Sequence, residues 1–264
     1  MVFSETIKEN VEYDIETKLT DDWTRDLLGK NNIYSIMPAS NFISDFTTWV
    51  TDLVPILEKT DMHFTFAGLG AQASFEETPK DVVSKLSEGQ IRFFKLVSER
   101  ANTIGVRGEF SAECLEEMGI KNVDVIGCPS FFQYENEYPV LQNCSSEKIL
   151  YTADANENII FYDFQEWNQY ISENNFTFAF GSRFHGNMMA LRNKVPTLWI
   201  AHDWRTLELV QYLGLPYLRY DDEIFQNASN VEQLLEYCDY SNVYKQYPTK
   251  YNRYINFIKQ NLGE

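Results

Sequence analysis

The sequence predicts an α/β protein made of two lobes, each a parallel sheet flanked by helices, and three observations lead there. From Asn32 onward short apolar runs alternate with longer amphipathic ones, the rhythm of strand-helix units. Several of the apolar runs stop at a glycine or a polar turn, as at Gly68-Leu69-Gly70, Arg107-Gly108, Gly127-Cys128-Pro129 and Gly181-Ser182. Between two such series lies 131–147, with Pro139, several Asn and Ser and no periodicity, which reads as a linker. The expected division is therefore a first lobe over 1–130, a linker over 131–147 and a second lobe over 148–264.

In the first lobe Ile33 to Met37 reads as a strand, and Phe46, Trp49, Val50, Leu53, Val54 and Leu57 recur at helical spacing. Met62 to Ala67 is a second short apolar run, with His63 expected to pack inside it. A long helix from about Pro79 to Asn102 follows, opened by a proline suited to a first helical turn. Thr103 to Val106 is a strand, Gly108 to Met118 a helix stopped by Gly119, and Val123 to Ile126 the last strand of the lobe. The second lobe has strands at Lys148 to Thr152, Ile159 to Tyr162, Phe176 to Phe180, Thr197 to Ala201 and Tyr217 to Arg219. Its helices carry Trp167, Tyr170 and Ile171 on one stripe, then run from about Gly186 to Arg192 and from Trp204 to Leu213, with one or two more reaching Asn261.

The 44% hydrophobic content suits a chain with a real core, and nineteen Phe and sixteen Tyr spread evenly along it argue against a low-complexity tract. A formal charge of −17 with no basic stripe leaves no source for neutralising a phosphate backbone, so nucleic acid and anionic membrane are poor partners. The opening MVFSETIKENVEYD has neither a basic start nor an apolar run, and no apolar stretch is long enough to span a membrane. A cytoplasmic protein is expected. Cys114, Cys128, Cys144 and Cys238 lack the CxxC spacing of a zinc site or redox pair and read as reduced, structural thiols, with no metal and no cofactor implied.

Candidate functional residues cluster where strands end, the place open α/β sheets put ligands. Arg183 and His185 follow the strand Phe176 to Phe180 at a helix start, with Ser182 and Asn187 beside them, and Gly181 and Gly186 are expected to let a ligand approach the backbone. Arg183 offers a planar fork for carboxylate or phosphate. His185, between a cation and a helix N-terminus, is expected to stay neutral near pH 7 as an acid-base group. The alternative is a core histidine capping its own helix. Arg107 either points a second guanidinium into the same cleft or makes a surface ion pair with Glu109 or Glu113. Gly70 and Gln72 lie in a glycine-rich junction that is an incomplete dinucleotide fingerprint. His202, Asp203, Arg205 and Glu208 read as the cap and surface charges of the helix at Trp204, with Asp203 also a candidate substrate contact.

These residues lie in segments that resemble a known family. GSRFHGNMMALRNKVPTLWIAHDWRTLEL, from Gly181 to Leu209, resembles the signature block of the polysaccharide pyruvyl transferases. GVRGEFSAECLEEMGIKNVDVIGCPS, from Gly105 to Ser130, and FAGLGAQ, from Phe66 to Gln72, join it in the family's order. The resemblance implies a GT-B-like fold of two Rossmann-like lobes facing across a cleft. It also implies transfer of pyruvate from phosphoenolpyruvate to a sugar or glycolipid-linked glycan, as a ketal. Carried over, Arg183, His185 and, at the matching position of the other lobe, Arg107 contact the donor. Met1 to Lys30 holds no counterpart of the family's glycine loop, and the stretch from Cys128 to Gly181 is short. A trimmed N-terminus and a shortened second lobe are therefore expected. Two other readings remain, a GT-B glycosyltransferase using a nucleotide sugar and a shortened non-catalytic paralogue that binds glycan.

Overall fold

The computed structural model describes residues 34–38, 41–59, 63–135, 137–152 and 163–262. Two four-stranded sheets, parallel throughout, carry the chain. The first holds β1 (Tyr34–Pro38), β2 (His63–Leu69), β3 (Ile104–Val106) and β4 (Val123–Val125), and the second β5 (Ile149–Thr152), β6 (Phe178–Gly181), β7 (Thr197–Ala201) and β8 (Tyr217–Arg219), each in consecutive order. The strands are short and apolar because helices cover both faces of a parallel sheet. All of β3 and β7 is buried. Met1 to Lys30 and the expected strand Ile159 to Tyr162 lie outside the described residues.

Between β1 and β2 a 3-10 turn at Thr48–Leu53 runs into α1 (Val54–Lys59). Of the apolar stripe expected there, Val50 and Leu57 are buried, but Phe46 is 60% and Trp49 38% exposed. His63, expected to pack, is exposed at the start of β2 with Nδ1 3.2 Å from the Arg100 carbonyl.

The single helix expected from Pro79 to Asn102 is two, α2 (Pro79–Ser84) and α3 (Glu88–Arg100). The break has a local cause. Ser87 Oγ accepts from the Gln90 N–H at 3.2 Å while Gln90 Oε1 accepts from the Ser87 N–H at 2.9 Å, a reciprocal cap that starts a new helix. Gln90 Nε2 also donates to the Ser44 carbonyl at 2.9 Å, tying residues 41–47 to α3. After β3 comes α4 (Glu109–Glu117), and the second sheet carries α5 (Phe164–Asn174), α6 (Phe184–Arg192) and α7 (Trp204–Leu213). Two short helices, α8 (Glu223–Asn227) and α9 (Glu232–Leu235), precede the long α10 (Ser241–Leu262).

That last helix returns to the first sheet. Asn261 bonds Thr103 through both the backbone N–H, at 3.2 Å, and the hydroxyl, at 3.1 Å, and Arg253 Nε donates to Asp124 at 2.7 Å. The linker-like stretch before β5 is irregular, as its composition predicts, yet it is packed. Phe131, Phe132 and Tyr138 are at most 3% exposed, and the Phe132 ring stacks on Tyr254 of α10 at 4.8 Å. One apolar cluster joins Ala67 and Ile126 of the first sheet's side to Trp199, Leu207 and Val210 of the second. The two sheets therefore share a core, with each large buried side chain contributing about 1.5–3 kcal/mol.

Gly105 marks the closest approach of α10. A methyl there would come within 2.4 Å of Ile126 Cδ1, 2.7 Å of Phe257 Cζ and 2.9 Å of the Phe66 carbonyl. We expect Gly105→Ala to cost about 1–3 kcal/mol by overpacking, read as a lower Tm. An unchanged Tm would mean that α10 does not press on β3.

Candidate active site between the strand ends

The carboxyl ends of β2, β3 and β4 face those of β6 and β7, and α7 is the element that joins them. Asp203 is its N-cap, accepting from the Thr206 N–H at 2.9 Å. Its other oxygen takes the Gln72 side-chain amide at 2.8 Å and an ion pair with Arg205 at 3.4 Å, while His202 lies 3.6 Å away. The Trp204 N–H donates to the Ala73 carbonyl at 3.0 Å, and its ring stacks on Phe110 of α4 at 4.7 Å. Asp203 and Gln72, both expected at the substrate, hydrogen-bond each other between the segments that follow β7 and β2. The Gly70 carbonyl likewise accepts from the Ile43 N–H at 3.2 Å, which fixes the loop after β2.

Glu208, expected as a surface charge of α7, is 3% exposed and points toward Ser111 of α4. It accepts from the Ser111 N–H at 2.9 Å and from its hydroxyl at 2.6 Å. Gly108 makes room for it, since a Cβ there would meet Glu208 Cβ at 2.5 Å. Burial pushes the Glu208 carboxyl up to about 7, against the pull of Arg107 and the Ser111 hydrogen bonds.

Arg107 extends β3 by one residue, its N–H bonding the Leu69 carbonyl at 2.9 Å. The ion pair with Glu109 or Glu113 is not made. The side chain is 3% exposed, Nε has no hydrogen-bond partner, and the guanidinium forms no ion pair with another described residue. Burial lowers its affinity for the proton, while the nearby charges of Glu208 and Cys128 act the other way. A buried fork with an unused donor is an uncommon arrangement, because leaving such a group unpaired costs about 1–3 kcal/mol or more.

Across the cleft α6 starts two residues earlier than the sequence suggests, so Arg183 is the N-cap and His185 sits in the first turn. Both are exposed and Ser182 is half-buried. Neither reads as a capping side chain, since no side chain caps this helix. The glycines of this segment pack closely against Thr152. Gly181 has φ +151°, and a Cβ on it would lie 1.9 Å from the Thr152 carbonyl; one on Gly186 would lie 3.2 Å from Thr152 Cβ. Asn187, expected at the substrate, is fully buried, donating to the Gly181 carbonyl at 2.8 Å and accepting from the Thr152 hydroxyl.

His185 Nε2 lies 3.9 Å from Cys128 Sγ, which is 3.0 Å from Ser130 Oγ. Burial opposes ionisation of this thiol, but His185, Ser130 and the Arg107 charge together hold it below the usual thiol range. Cys128 thereby links Arg107 of one side to His185 of the other. The sequence marked Arg107, Arg183 and His185 but passed over Cys128, Ser111 and Glu208. Glu208 had a readable signal, an acid placed one turn after Trp204 and one turn before Tyr212, two aromatic neighbours on its helix face.

The fold and the site define an α/β protein whose parallel strand ends surround a buried, unpaired guanidinium. The family model of polysaccharide pyruvyl transferase matches residues 83–203, from the end of α2 to the N-cap of α7. Arg107, Cys128, Arg183 and His185 all fall inside that span, and the resemblance read from the sequence holds over it. No curated protein and no solved structure matches the chain.

The raised Glu208 carboxyl gives a signed pH dependence. Its folded affinity for the proton exceeds the unfolded one, so the folded state holds the extra proton between about 4.5 and 7, and this group's contribution to stability falls as pH rises through that window. Glu208→Gln should remove that slope, so its Tm deficit against the wild type shrinks from about pH 5 to pH 8. A constant deficit would refute the shift.

Proposed function

We propose that the protein transfers pyruvate from phosphoenolpyruvate to a sugar of a cell-surface polysaccharide or its precursor, forming a ketal. The observation that carries this reading is Arg107, a buried cation whose Nε has no partner, inside the span matched by the pyruvyl transferase family. Such a group suits a small anion with a carboxylate, which satisfies the fork in two parallel hydrogen bonds. On this reading 1–130 forms the acceptor side, 131–147 joins the lobes and 148–264 brings the donor motif, in a GT-B-like pair of lobes. Phosphoenolpyruvate supply places the reaction in the cytoplasm. Among the described residues no helix is long and apolar enough to cross a membrane.

The chemistry assigns each group a task. Ketal formation adds a proton to the methylene carbon of the enol phosphate, which turns C2 electron-poor beside its carboxylate. One sugar hydroxyl adds to C2, phosphate leaves with the C–O bonding pair, and a second hydroxyl closes the ring. One hydroxyl proton replaces the proton given to the methylene carbon and the other leaves with phosphate. His185, exposed in the first turn of α6, is the proton donor, and Arg107 and Arg183 hold the carboxylate and phosphate and stabilise the charge that develops.

The decisive experiment is release of inorganic phosphate from phosphoenolpyruvate in the presence of candidate glycan acceptors. Arg183→Ala should weaken phosphoenolpyruvate binding by about tenfold or more, equivalent to about 1.4 kcal/mol, with little change in Tm because the residue is exposed. Arg183→Lys should be impaired as well, since a point charge does not replace a planar fork. His185→Gln should lose turnover while keeping the fold. A rise in Tm with nucleotide sugars and none with phosphoenolpyruvate would replace this reading by a glycosyltransferase. Normal turnover in His185→Gln would move the proton to another group.

A further inference from the structure

Cys128 lies between His185 and Arg107, and the transfer chemistry gives it no task. Among the four cysteines it alone has an imidazole and a guanidinium as neighbours. Cys114 is fully buried, and burial pushes its thiol up. Cys144 and Cys238 act on each other: the hydrogen bond with Cys144 raises Cys238, and the same bond lowers Cys144. Cys128 is half-buried, less enclosed than Cys114. The groups that face it come from four elements: Ser130 at 3.0 Å in its own loop, His185 at 3.9 Å from α6, Arg107 after β3, and Tyr254 of α10. Tyr254 is itself pushed up by burial first and then by Cys128, and stays a neutral phenol.

We propose that Cys128 is a nucleophilic thiol that forms covalent adducts with small carboxylates bearing an electrophilic carbon next to the carboxyl group. His185 takes the thiol proton, as imidazole does for activated cysteines. Arg107, 3% exposed and with Nε unpartnered, receives the carboxylate and so draws the reactive carbon toward Sγ. With iodoacetate as the probe, Sγ attacks the methylene carbon, the S–C bond forms as the C–I bond breaks, iodide leaves with the electron pair, and the proton passes from His185 to solvent. The proposal shares the anion-binding role of Arg107 with the proposed function but does not require pyruvyl transfer.

The choice between two reagents tests it. Iodoacetamide is neutral and iodoacetate anionic, and the overall charge of −17 disfavours the anion everywhere else on the surface. Alkylation is followed at each cysteine by peptide mass mapping. Cys128 should react fastest and prefer iodoacetate over iodoacetamide several-fold, whereas Cys144 should prefer iodoacetamide. At about pH 6, where an ordinary thiol is protonated, His185→Gln should slow Cys128 by about tenfold. Arg107→Met should slow both reagents, because the thiolate loses a nearby positive charge, and should abolish the preference for iodoacetate. Should that variant fail to fold, inorganic phosphate added to the wild type serves the same end, slowing iodoacetate at Cys128 and leaving Cys144 unchanged. A Cys128 that reacts no faster than Cys144, or shows the same reagent preference, overturns the proposal. Absence of phosphate release from phosphoenolpyruvate would sink the pyruvyl transfer reading and leave this one standing.

Discussion

Glu208 leaves α7, crosses the boundary between the two sheets and ends on Ser111, which donates to it through both backbone and hydroxyl. Taking a carboxylate out of water is expensive, and it is tolerated where hydrogen bonds and a nearby cation compensate. Here Ser111 supplies the bonds and Arg107 the charge, which is why the carboxyl is raised only to about 7. The same constraint fixes much else. Residue 108 has no room for a side chain, α4 must start where Ser111 reaches the carboxylate, and α7 must start at Asp203 so that Glu208 falls one turn further on. Arg107 is held next to Glu208 without an ion pair to it, so its fork remains available. The exposure of so little of Arg107 is thus a by-product of how the two sheets are packed.

Close approach is the second theme. Gly105 admits α10 against β3, Gly108 admits Glu208, and Gly181 admits the Thr152 carbonyl. Each lies at or next to a strand end, and each removes a methyl where two elements meet. In the segment GSRFHGN the glycines bring β5 and α6 together, and Asn187 locks that contact from inside. The backbone around Arg183 and His185 is therefore tightly packed, and both residues are exposed on it. A tightly packed base under exposed groups is the arrangement a binding site needs, because little ordering remains to be done when a ligand arrives.

Much of the fold was legible because it rests on local patterns. β7 and α7 occur at the residues their apolar runs and caps predict, and the strand ends at Arg107 and Gly181 follow from the same alternation. The break between α2 and α3 was also written locally, in the capping pair of Ser87 and Gln90. What the sequence could not reveal is contact between distant segments. Nothing local separates a buried Glu208 from a surface one until Ser111 is known to face it, and nothing local separates Cys128 from a structural thiol until His185 stands 3.9 Å away. For the same reason the hydrogen bond between Gln72 and Asp203 could not be read from either segment alone.

The overall charge of −17 sets a condition on any anionic ligand of this cleft. Summed over the surface, such a field slows the approach of an anion and weakens its binding at long range. That repulsion is screened over roughly 10 Å at moderate salt, whereas a buried cation acts over a few ångströms and is screened much less. Arg107, with 3% of its surface exposed, is therefore a short-range attractor inside a repulsive envelope. The combination favours small, compact anions that reach the fork over long polyanions that must cross the acidic surface along their whole length. Arg183, by contrast, lies at the exposed start of α6. Where the strands end thus leaves one arginine buried and the other exposed, so the long-range repulsion weighs differently on the two.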